Sequence, residues 1–538
     1  MPAPSTPGLI ARAAGAVHTR AFSLPPARTA YTITRGLRVP ARDGAELVTD
    51  HYEPRAGARG TVLIRSPYGR GLPVSLLHGR MLAARGFHVL VQSVRGTGGS
   101  SGVLRPMTQE AADGQDTVAW LREQPWYDGR LATLGGSYLG WSQWSLLRDP
   151  PPELKAAVVV VGPHDMARAM YGTGAFALAD FLGWSATVLA QSDGGLRRAM
   201  TSGRRARKAT HETPLGAATE TALDGAAPWF AGWLSHADPA DPFWNAYDAT
   251  ESLAEVEAPV LLVGGWHDVF LDQTLEQYRA LSTRDVEVAL TIGPWKHLDT
   301  LAAAARVIDR EALAWFEQHL DGGPVRPEPV RVHVTGAGEW RTLPSWPPAT
   351  TDRVLHPRAD GRLGDTADAE GASTGFRYDP ADPTPAVGGR HMSAGAGARD
   401  NRALEARPDV LTFTSAPLGS ALEVIGAPRV ELALDTGNPH ADVFVRLCDV
   451  DPRGRSRNVT EVFRRLDPGR TGAVSLELGA CAHRFAAGHR LRLQVSGGAH
   501  PRYARNPGTG EPIATATAFT ATRYTVHCGR STLTVPIA

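Results

Sequence analysis

The first third of the chain alternates short apolar runs with stretches of helical periodicity. The runs TVLIR (61–65), FHVLVQSV (87–94) and AAVVVVGP (156–163) are mainly apolar, as strands buried on both faces are. Between two of them, EAADGQDTVAWLREQ (110–124) repeats apolar residues at helical spacing. Strands that alternate with helices in this way predict a parallel sheet covered by helices.

This alternation stops and later resumes, which divides the chain. Residues 165–250 contain helical segments without a strong strand, and buried strands return with APVLLVGG and VEVALTIGP. From about residue 326, short strands are separated by glycine, proline and aspartate, a pattern typical of an all-β sandwich or jelly roll. The predicted parts are an N-terminal leader (1–30), the first part of an α/β core (31–164), a helical cap (165–250), the second part of the core (251–325) and a C-terminal jelly roll (326–538).

Length and charge restrict the function classes. The chain has 538 residues, enough for about three domains. Its formal net charge of +1 gives no indication of a nucleic-acid partner or a membrane surface. No apolar run reaches the roughly 18–20 residues that a membrane helix needs. The sequence does not fix the oligomeric state, and a homodimer stays open.

The N-terminus and the cysteines bear on localisation. Residues 1–42 contain no Asp or Glu, and LIARAAGAVHTRAF has the pattern of a basic amphipathic helix. Such a segment is typical of an organelle transit peptide, but the overall composition favours a plain basic leader. Cys448, Cys481 and Cys528 lack metal-ligand spacing, so we expect three small buried apolar side chains. The expected compartment is the reducing cytoplasm.

Two serines compete for the role of a nucleophile. Ser100 in GGSSG matches G-x-S-x-G, but its glycine loop comes well after a strand and no helix follows. Ser137 in LATLGGSYLGW lies directly between a strand and a predicted helix, the setting of a nucleophile elbow. The following glycine is Gly140, at +3 instead of +2. We predict Ser137 as the nucleophile, and an ordinary glycine-rich turn is the alternative.

A serine nucleophile needs a base and a group that orients the base. In open parallel sheets such groups follow the carboxyl ends of strands. Asp268 comes just after the strand in APVLLVGGWHD, and His297 ends VEVALTIGPWKH. The order Ser137, Asp268, His297 is that of α/β-hydrolases.

Other residues compete for these roles. The pair His164-Asp165 also follows an apolar strand, but it gives the order Ser–His–Asp. His267 is a further candidate base, although its neighbour Asp268 could not easily orient it. For His297 itself, the alternative is a solvent-facing histidine in a turn.

The loop after TVLIR carries a candidate oxyanion donor. Tyr68 in RSPYGRG follows a proline and occupies the position from which hydrolases donate the second oxyanion hydrogen bond. A phenol O–H can donate in place of a backbone N–H. The first donor is the backbone N–H of Tyr138, the residue after the nucleophile. The alternative for Tyr68 is a tyrosine that packs under the cap.

Four motifs, RSPYGRG, GGSYLGW, GGWHDVF and GPWKH, occur in this order along the chain. Together with RVPARDG (38–44), QPWYDGR (124–130), YDPADPTPAVGG (378–389) and the run 485–510, they resemble the cocaine-esterase-like (CocE/NonD) hydrolases of the X-Pro dipeptidyl-peptidase (S15) family. The resemblance extends from about residue 36 to the end. It implies an α/β fold with an α/β-hydrolase core, an inserted helical cap and a C-terminal jelly roll of the galactose-binding-like type.

The resemblance also implies roles for single residues. It makes Ser137 the nucleophile, His297 the general base and Asp268 the orienting carboxylate, with Tyr68 O–H and Tyr138 N–H as the oxyanion hole. In FLGWSA (181–186) it implies a pocket tryptophan, Trp184.

Two further pocket positions follow from the same resemblance. Phe270 lines the pocket, and Met170 replaces a second cap aromatic residue. As an alternative, Trp184 and Phe270 only fill the core. α-Amino-acid ester hydrolases of the family place acidic residues where this chain has Phe270 and Leu271, so an uncharged, largely apolar acyl group is expected.

The predicted function is therefore a serine esterase that cleaves a small, largely apolar ester through an acyl-enzyme, without a metal or an organic cofactor. Amide hydrolysis, as in acylases and dipeptidyl-peptidases, uses the same groups and stays an alternative. Acyl transfer or cyclisation is a second alternative. In a different class, the jelly roll binds carbohydrate while the hydrolase domain is inert.

Overall fold

The structure is a computed structural model that describes residues 3–193, 196–469 and 472–538. The predicted leader, cap and jelly roll each include two residues that lie outside the described residues, namely 1–2, 194–195 and 470–471. The predicted boundaries between the domains stay predictions.

The chain divides into two compact units. The first consists of residues 1–166, 244–265 and 273–331, and the second of residues 167–243, 266–272 and 332–538. Several elements cross a boundary between the units, and each is given below with the unit that holds most of it.

The first unit is built around a mixed sheet. Its strands are β1 (Tyr31–Pro40), β2 (Glu46–Pro54), β3 (Thr61–Ser66), β4 (His88–Ser93), β5 (Leu131–Gly136), β6 (Leu154–Val160), β7 (Val260–His267) and β8 (Val288–Lys296). They lie in the order β1-β2-β4-β3-β5-β6-β7-β8. The pairs β1/β2 and β2/β4 are antiparallel, whereas the pairs β4/β3, β3/β5, β5/β6 and β6/β7 are parallel. The apolar runs of the sequence are the central strands of this sheet, and β3 and β4 are buried throughout.

Helices and short turns lie before, between and after these strands. They are α1 (Leu9–Ala21), a π-helical turn (Ser75–Arg80) that continues into α2 (Met81–Ala83), α3 (Glu110–Arg122), α4 (Tyr138–Leu146), a 3-10 turn (Pro242–Tyr247), α10 (Ser252–Glu255), α11 (Leu271–Ser282), a 3-10 turn (His297–Leu301) and α12 (Ala305–Asp321).

The predicted leader contains helix α1, which is attached to the first unit. The Nε2 atom of His18 on α1 lies 3.0 Å from Oδ2 of Asp309 on α12. Both side chains are buried, at 7% and 0% exposure. Before the helix, the backbone of Ser5 pairs with that of Ile33 on β1.

The second unit combines helices with an all-β region. Its helices are α5 (Met166–Tyr171), α6 (Leu178–Asp193), α7 (Leu196–Ala209), α8 (Leu215–Ala222), α9 (Pro228–Ser235), α13 (Arg402–Glu405) and a 3-10 turn (Cys528–Arg530). Helices α5 to α9 lie between β6 and β7 in the chain.

The strands of the second unit follow β8 in the chain. They are β9 (Val330–Val334), β10 (Glu339–Leu343), β11 (Thr351–Pro357), β12 (Arg362–Gly364), β13 (Ser373–Tyr378), β14 (Val410–Ser415), β15 (Leu422–Gly426), β16 (Arg429–Thr436), β17 (Asp442–Val450), β18 (Ser456–Arg465), β19 (Ala473–Glu477), β20 (Cys481–Phe485), β21 (Arg490–Ser496), β22 (Thr522–His527) and β23 (Thr532–Ile537). Side chains of alternate strand residues form one apolar core. In this core the ring of Phe376 stacks on that of Tyr524, with the ring centroids 4.5 Å apart.

Two smaller expectations concern single residues and the membrane. Cys448, Cys481 and Cys528 are buried and unpaired, as predicted. Burial raises the pKa of the Cys481 thiol to about 12. Within the described ranges, no helix combines the length and apolar character required to cross a membrane.

Candidate active site

Ser137 occupies the turn between β5 and α4. Its backbone has φ 58° and ψ −122°, a conformation that is sparsely populated for a residue with a side chain. The turn is held by hydrogen bonds from Ser137 N to Val160 O (2.9 Å) and from Gly140 N to Ser137 O (2.8 Å). The strain at Ser137 is typical of a nucleophile on a sharp strand-to-helix turn.

Close packing around this turn requires glycine. A Cβ atom added to Gly135 would lie 2.3 Å from Cβ of Leu139, and one added to Gly140 would lie 2.6 Å from Cα of Gly162. Gly135 thus lets α4 start directly against its own strand, and Gly140 lets α4 approach the loop after β6. The displaced glycine at +3 therefore has a packing role.

His297 lies within hydrogen-bond distance of Ser137. It is the first residue after β8, and its Nε2 atom is 2.9 Å from Ser137 Oγ. The 3-10 turn that carries His297 is fixed by hydrogen bonds from Lys296 N to Asp299 Oδ2 (3.1 Å) and from Thr300 Oγ1 to His297 O (2.9 Å). With the ring proton on Nδ1, Nε2 can accept the Ser137 proton.

Ser100, the other candidate nucleophile, is buried and its hydroxyl is used in hydrogen bonds within the fold. Ser100 is 8% exposed. Its hydroxyl donates to the carbonyl oxygen of Ser93 and accepts from the backbone N–H of Val48, each at 2.8 Å. These two bonds tie the glycine loop to β2 and β4, so Ser100 stabilises the sheet.

His164 and His267, the other candidate bases, are both buried. His164 is fully buried, and its Nδ1 lies 3.1 Å from Nε2 of Gln277 on α11. His267, the last residue of β7, is 8% exposed. Burial lowers the pKa of His267 to about 4, so it is neutral at pH 7.

Asp268 immediately follows β7 in the second unit. Its side chain is fully buried. One carboxylate oxygen accepts the backbone N–H of Phe270 at 2.8 Å, which fixes the local loop. The orienting role of Asp268 toward His297 stays a prediction.

The two predicted oxyanion donors lie at the ends of β5 and β3. Tyr138 is the first residue of α4. Tyr68 is half-buried two residues beyond β3, and its backbone N–H donates to Ser66 Oγ at 3.0 Å. Their donation to an oxyanion stays a prediction.

A buried polar network behind the elbow was not predicted. The Tyr138 hydroxyl donates to Glu110 Oε1 (2.6 Å) and accepts from the backbone N–H of Met107 (2.9 Å). The other oxygen of Glu110 lies 3.0 Å from NH2 of Arg65, and both side chains are 2% exposed. Trp141 Nε1 donates to Met107 O at 3.0 Å.

The chemistry of this network keeps the Tyr138 proton in place. Burial, reinforced by the charge of Glu110, holds the pKa of Tyr138 well above 10. Burial also raises the pKa of Glu110, whereas the Arg65 charge opposes that rise. The phenol thus stays a donor, and α4 is anchored at the residue whose N–H is the predicted oxyanion donor.

The predicted pocket residues lie in the second unit. Met170 on α5 and Phe270 are buried, at 1% and 4% exposure. Trp184 on α6 is half-buried, with its ring 6.0 Å from the ring of Trp233. Their role in binding substrate stays a prediction.

Two family models match the chain. Residues 43–299 match the X-Pro dipeptidyl-peptidase (S15 family) model. Residues 324–533 match the model of the X-Pro dipeptidyl-peptidase C-terminal non-catalytic domain. The cocaine esterase of Rhodococcus sp. (strain MB1 Bresler) is 28% identical over 541 residues, which cover 90% of this chain and 94% of that esterase.

Solved structures resemble the chain over nearly its whole length. An aminopeptidase from the marine sediment archaeon Thaumarchaeota archaeon has a TM-score of 0.82 at 24% identity, covering 96% of this chain and 97% of its own. An α-amino acid ester hydrolase has a TM-score of 0.80 at 24% identity, covering 94% and 97%. The predicted α/β-hydrolase domain followed by an all-β domain is confirmed.

Proposed function

Because the chain belongs to the X-Pro dipeptidyl-peptidase (S15) family of hydrolases and is related to a cocaine esterase, we propose that it hydrolyses carboxylic esters of small, largely apolar acyl groups. Ser137 is the nucleophile and His297 the general base. The observation that carries this proposal is the 2.9 Å contact between Ser137 Oγ and His297 Nε2, made at a strained strand-to-helix turn.

The first half-reaction forms an acyl-enzyme. His297 Nε2 takes the Ser137 proton as Oγ bonds to the ester carbonyl carbon, and the carbonyl oxygen becomes an oxyanion. Tyr138 N–H and Tyr68 O–H donate hydrogen bonds to that oxyanion. When the intermediate collapses, the bond to the alcohol oxygen breaks and His297 returns its proton to the leaving alcohol.

The second half-reaction releases the acid. A water molecule loses a proton to His297 and attacks the acyl carbon, the bond to Ser137 Oγ breaks, and the serine regains its proton. Asp268 orients the imidazole of His297 and stabilises its positive charge in both steps. The complete burial of Asp268 supports this role, because a buried carboxylate is poorly screened by water.

The acyl preference rests on the pocket residues. Met170, Trp184 and Phe270 are apolar or aromatic, and Leu271 follows Phe270. A substrate ammonium would lose its hydration in such a site without gaining a carboxylate partner. A neutral acyl group instead gains from burial of its apolar surface.

A matched pair of serine variants tests the proposal. Ser137→Ala should lower hydrolysis of p-nitrophenyl butyrate by more than about 1,000-fold, whereas Ser100→Ala should keep nearly wild-type turnover per folded molecule. Circular dichroism and a thermal melt confirm that both variants fold. Turnover in Ser137→Ala equal to that of the wild type would refute the assignment.

Matched substrates test the acyl group and the bond. Butyryl and 2-aminobutyryl p-nitrophenyl esters differ by one ammonium, and we expect the neutral ester to have the higher kcat/KM. The butyryl p-nitroanilide should react more slowly than the ester, and a preference for the anilide would favour an amidase. A new ester or amide formed when an alcohol or amine is supplied would indicate acyl transfer.

A further inference from the structure

A large cavity lies against the N-terminal helix α1. Its volume is about 780 Å³, within the range of about 300–1,000 Å³ typical of small-molecule sites. Its walls come from α1, from the connection between α1 and β1, and from the π-helical turn with α2. Among its apolar lining residues are Ala11, Leu24, Leu76, Met81 and Ala84. The cavity contains none of the predicted catalytic residues.

The polar lining of this cavity is basic. Arg12, Arg20, Arg80 and Arg85 line it, and its described lining residues include no aspartate or glutamate, although Asp309 contacts the lining residue His18. Burial raises the pKa of Tyr31, and the charges of Arg80 and Arg12 oppose that rise. Tyr31 lines the same cavity as both arginines. The cavity lining thus combines positive charge with a hydroxyl group.

Two arginines at the cavity carry a donor that the fold does not use. The Nε atoms of Arg80 and Arg85 are buried, and neither has a hydrogen-bond acceptor among the described residues. Arg85 is 2% exposed. Its other nitrogens donate to the carbonyl oxygens of Met81 and Pro25 and to the hydroxyl of Thr19. Buried N–H groups without an acceptor are rare in native proteins, so an anionic ligand is a natural partner here.

We propose that this cavity is a binding site for a single-chain alkyl carboxylate. The carboxylate accepts charge-assisted hydrogen bonds from the Arg80 guanidinium, which lines the cavity together with Tyr31. The alkyl chain packs against Leu24, Leu76 and Met81, where burial of apolar surface favours binding. The site is separate from the acyl pocket proposed above and does not depend on Ser137.

The ligand also bears on how α1 is held. Only His18 of this helix is buried, whereas Leu9 and Ile10 are 84% and 89% exposed. A ligand between α1 and α2 adds contacts that exist only when α1 is docked. By mass action it stabilises the folded form, and it slows amide exchange in residues 9–21.

Calorimetric titration of the full chain with decanoate tests the site. We expect one decanoate per chain, bound with unchanged affinity by Ser137→Ala. Arg80→Gln should weaken binding by at least about tenfold, since it removes a charge-assisted bond. Arg38→Gln is the matched control, because it removes a positive charge from an exposed position on β1. This variant should bind decanoate with unchanged affinity. Decanol, which has the same chain without the charge, should bind at least about tenfold more weakly than decanoate.

A second variant fills the cavity. Gly15 lines it, and a Cβ added there meets no atom within 4 Å. Gly15→Leu therefore has room for its side chain, and it replaces a residue that weakens a helix. It should fold at least as stably as the wild type and lose decanoate binding.

Several outcomes would overturn the proposal. Decanoate affinity that is unchanged in both Arg80→Gln and Gly15→Leu would place the ligand elsewhere, as would equal affinity for decanol. Failure of the esterase proposal would instead appear as turnover without Ser137, which this titration does not measure. The two proposals therefore fail independently.

Discussion

The hydroxyl of Tyr138 lies 2.6 Å from a carboxylate oxygen of Glu110, so the first residue of α4 is anchored to the first residue of α3. Ser137 immediately precedes this anchored tyrosine. The backbone N–H of Tyr138 is the predicted oxyanion donor, and its position depends on where the α4 terminus is held. The network behind the elbow therefore connects the stability of the fold with the geometry of the reaction.

Removal of this hydroxyl should impair catalysis more than binding. In Tyr138→Phe we expect kcat for p-nitrophenyl butyrate to fall about 10-fold with little change in KM. This loss is smaller than the 100- to 1,000-fold typical of deleting an oxyanion donor, because the N–H is displaced and not lost. Steady-state kinetics measure both parameters.

Tyr127→Phe is the matched control for this variant. The Tyr127 hydroxyl is also buried but has no hydrogen-bond partner within the described part of the chain. Its removal should leave kcat unchanged. Equal kcat values for Tyr138→Phe and the wild type would show that the anchor does not position the N–H.

Glu110 should matter for stability because it neutralises a buried arginine. Glu110→Ala leaves Arg65, which is 2% exposed, without its carboxylate. Breaking such a buried pair costs about 3–5 kcal/mol in the free energy of unfolding. Glu153→Ala removes the partner of Arg122 from a partly exposed pair and should cost at most about 1 kcal/mol. Urea unfolding compares the two, and equal losses would contradict the expectation.

Two neutral histidines should make the first unit sensitive to acid. His51 Nε2 and His88 Nδ1 are 2.9 Å apart, and both rings stack on Trp126. Burial lowers the pKa of His51 to about 3 and that of His88 to about 4. Below pH 6.5 the unfolded chain takes up protons that the folded chain does not. Stability should therefore fall as the pH decreases from 6.5 toward 4, by up to about 1.4 kcal/mol per pH unit for each histidine.

A single substitution isolates this effect. His88→Asn keeps an acceptor near the position of Nδ1 but does not titrate. Urea unfolding at pH 7, 6, 5 and 4.5 should show a shallower loss of stability in the variant than in the wild type. Parallel pH profiles for the two proteins would contradict the expectation.

The contact between His18 and Asp309 should hold the N-terminal helix in place. His18→Ala leaves the fully buried Asp309 without its 3.0 Å partner on α1. An unsatisfied buried polar group costs about 1–3 kcal/mol. Limited proteolysis should therefore cut within residues 1–30 faster in this variant. The neighbouring substitution Val17→Ala, at a position that is 68% exposed, should leave the cleavage rate unchanged, and equal rates for both variants would contradict the anchor.

Local sequence patterns were sufficient for the sheet and for the nucleophile candidate. The apolar runs are the strands β3, β4 and β6, because strands covered on both faces are predominantly apolar. Ser137 could be chosen over Ser100 because strand, turn and helix follow one another without interruption. The order of Asp268 and His297 along the chain then suggested the base, and His297 does lie beside Ser137.

Contacts between distant residues could not be predicted in this way. Glu110 is the first residue of α3, where an acidic side chain normally faces solvent and the positive end of the helix. Its partner Tyr138 is 28 residues away. His18 and Asp309 are 291 residues apart. The sequence of the predicted leader therefore did not indicate that α1 packs against α12. Such pairs become visible only when the sheet brings their elements together.

Reaction with a fluorophosphonate, followed by peptide mass spectrometry, tests the central claim most directly. Ser137 lies in the tryptic peptide 131–148, and Ser100 lies in the peptide 96–122. We predict one label per chain, on Ser137, and much slower labelling in His297→Gln because the base is missing. A label on Ser100, or equally fast labelling of Ser137 in His297→Gln, would contradict the assignment of Ser137 and His297 as nucleophile and base.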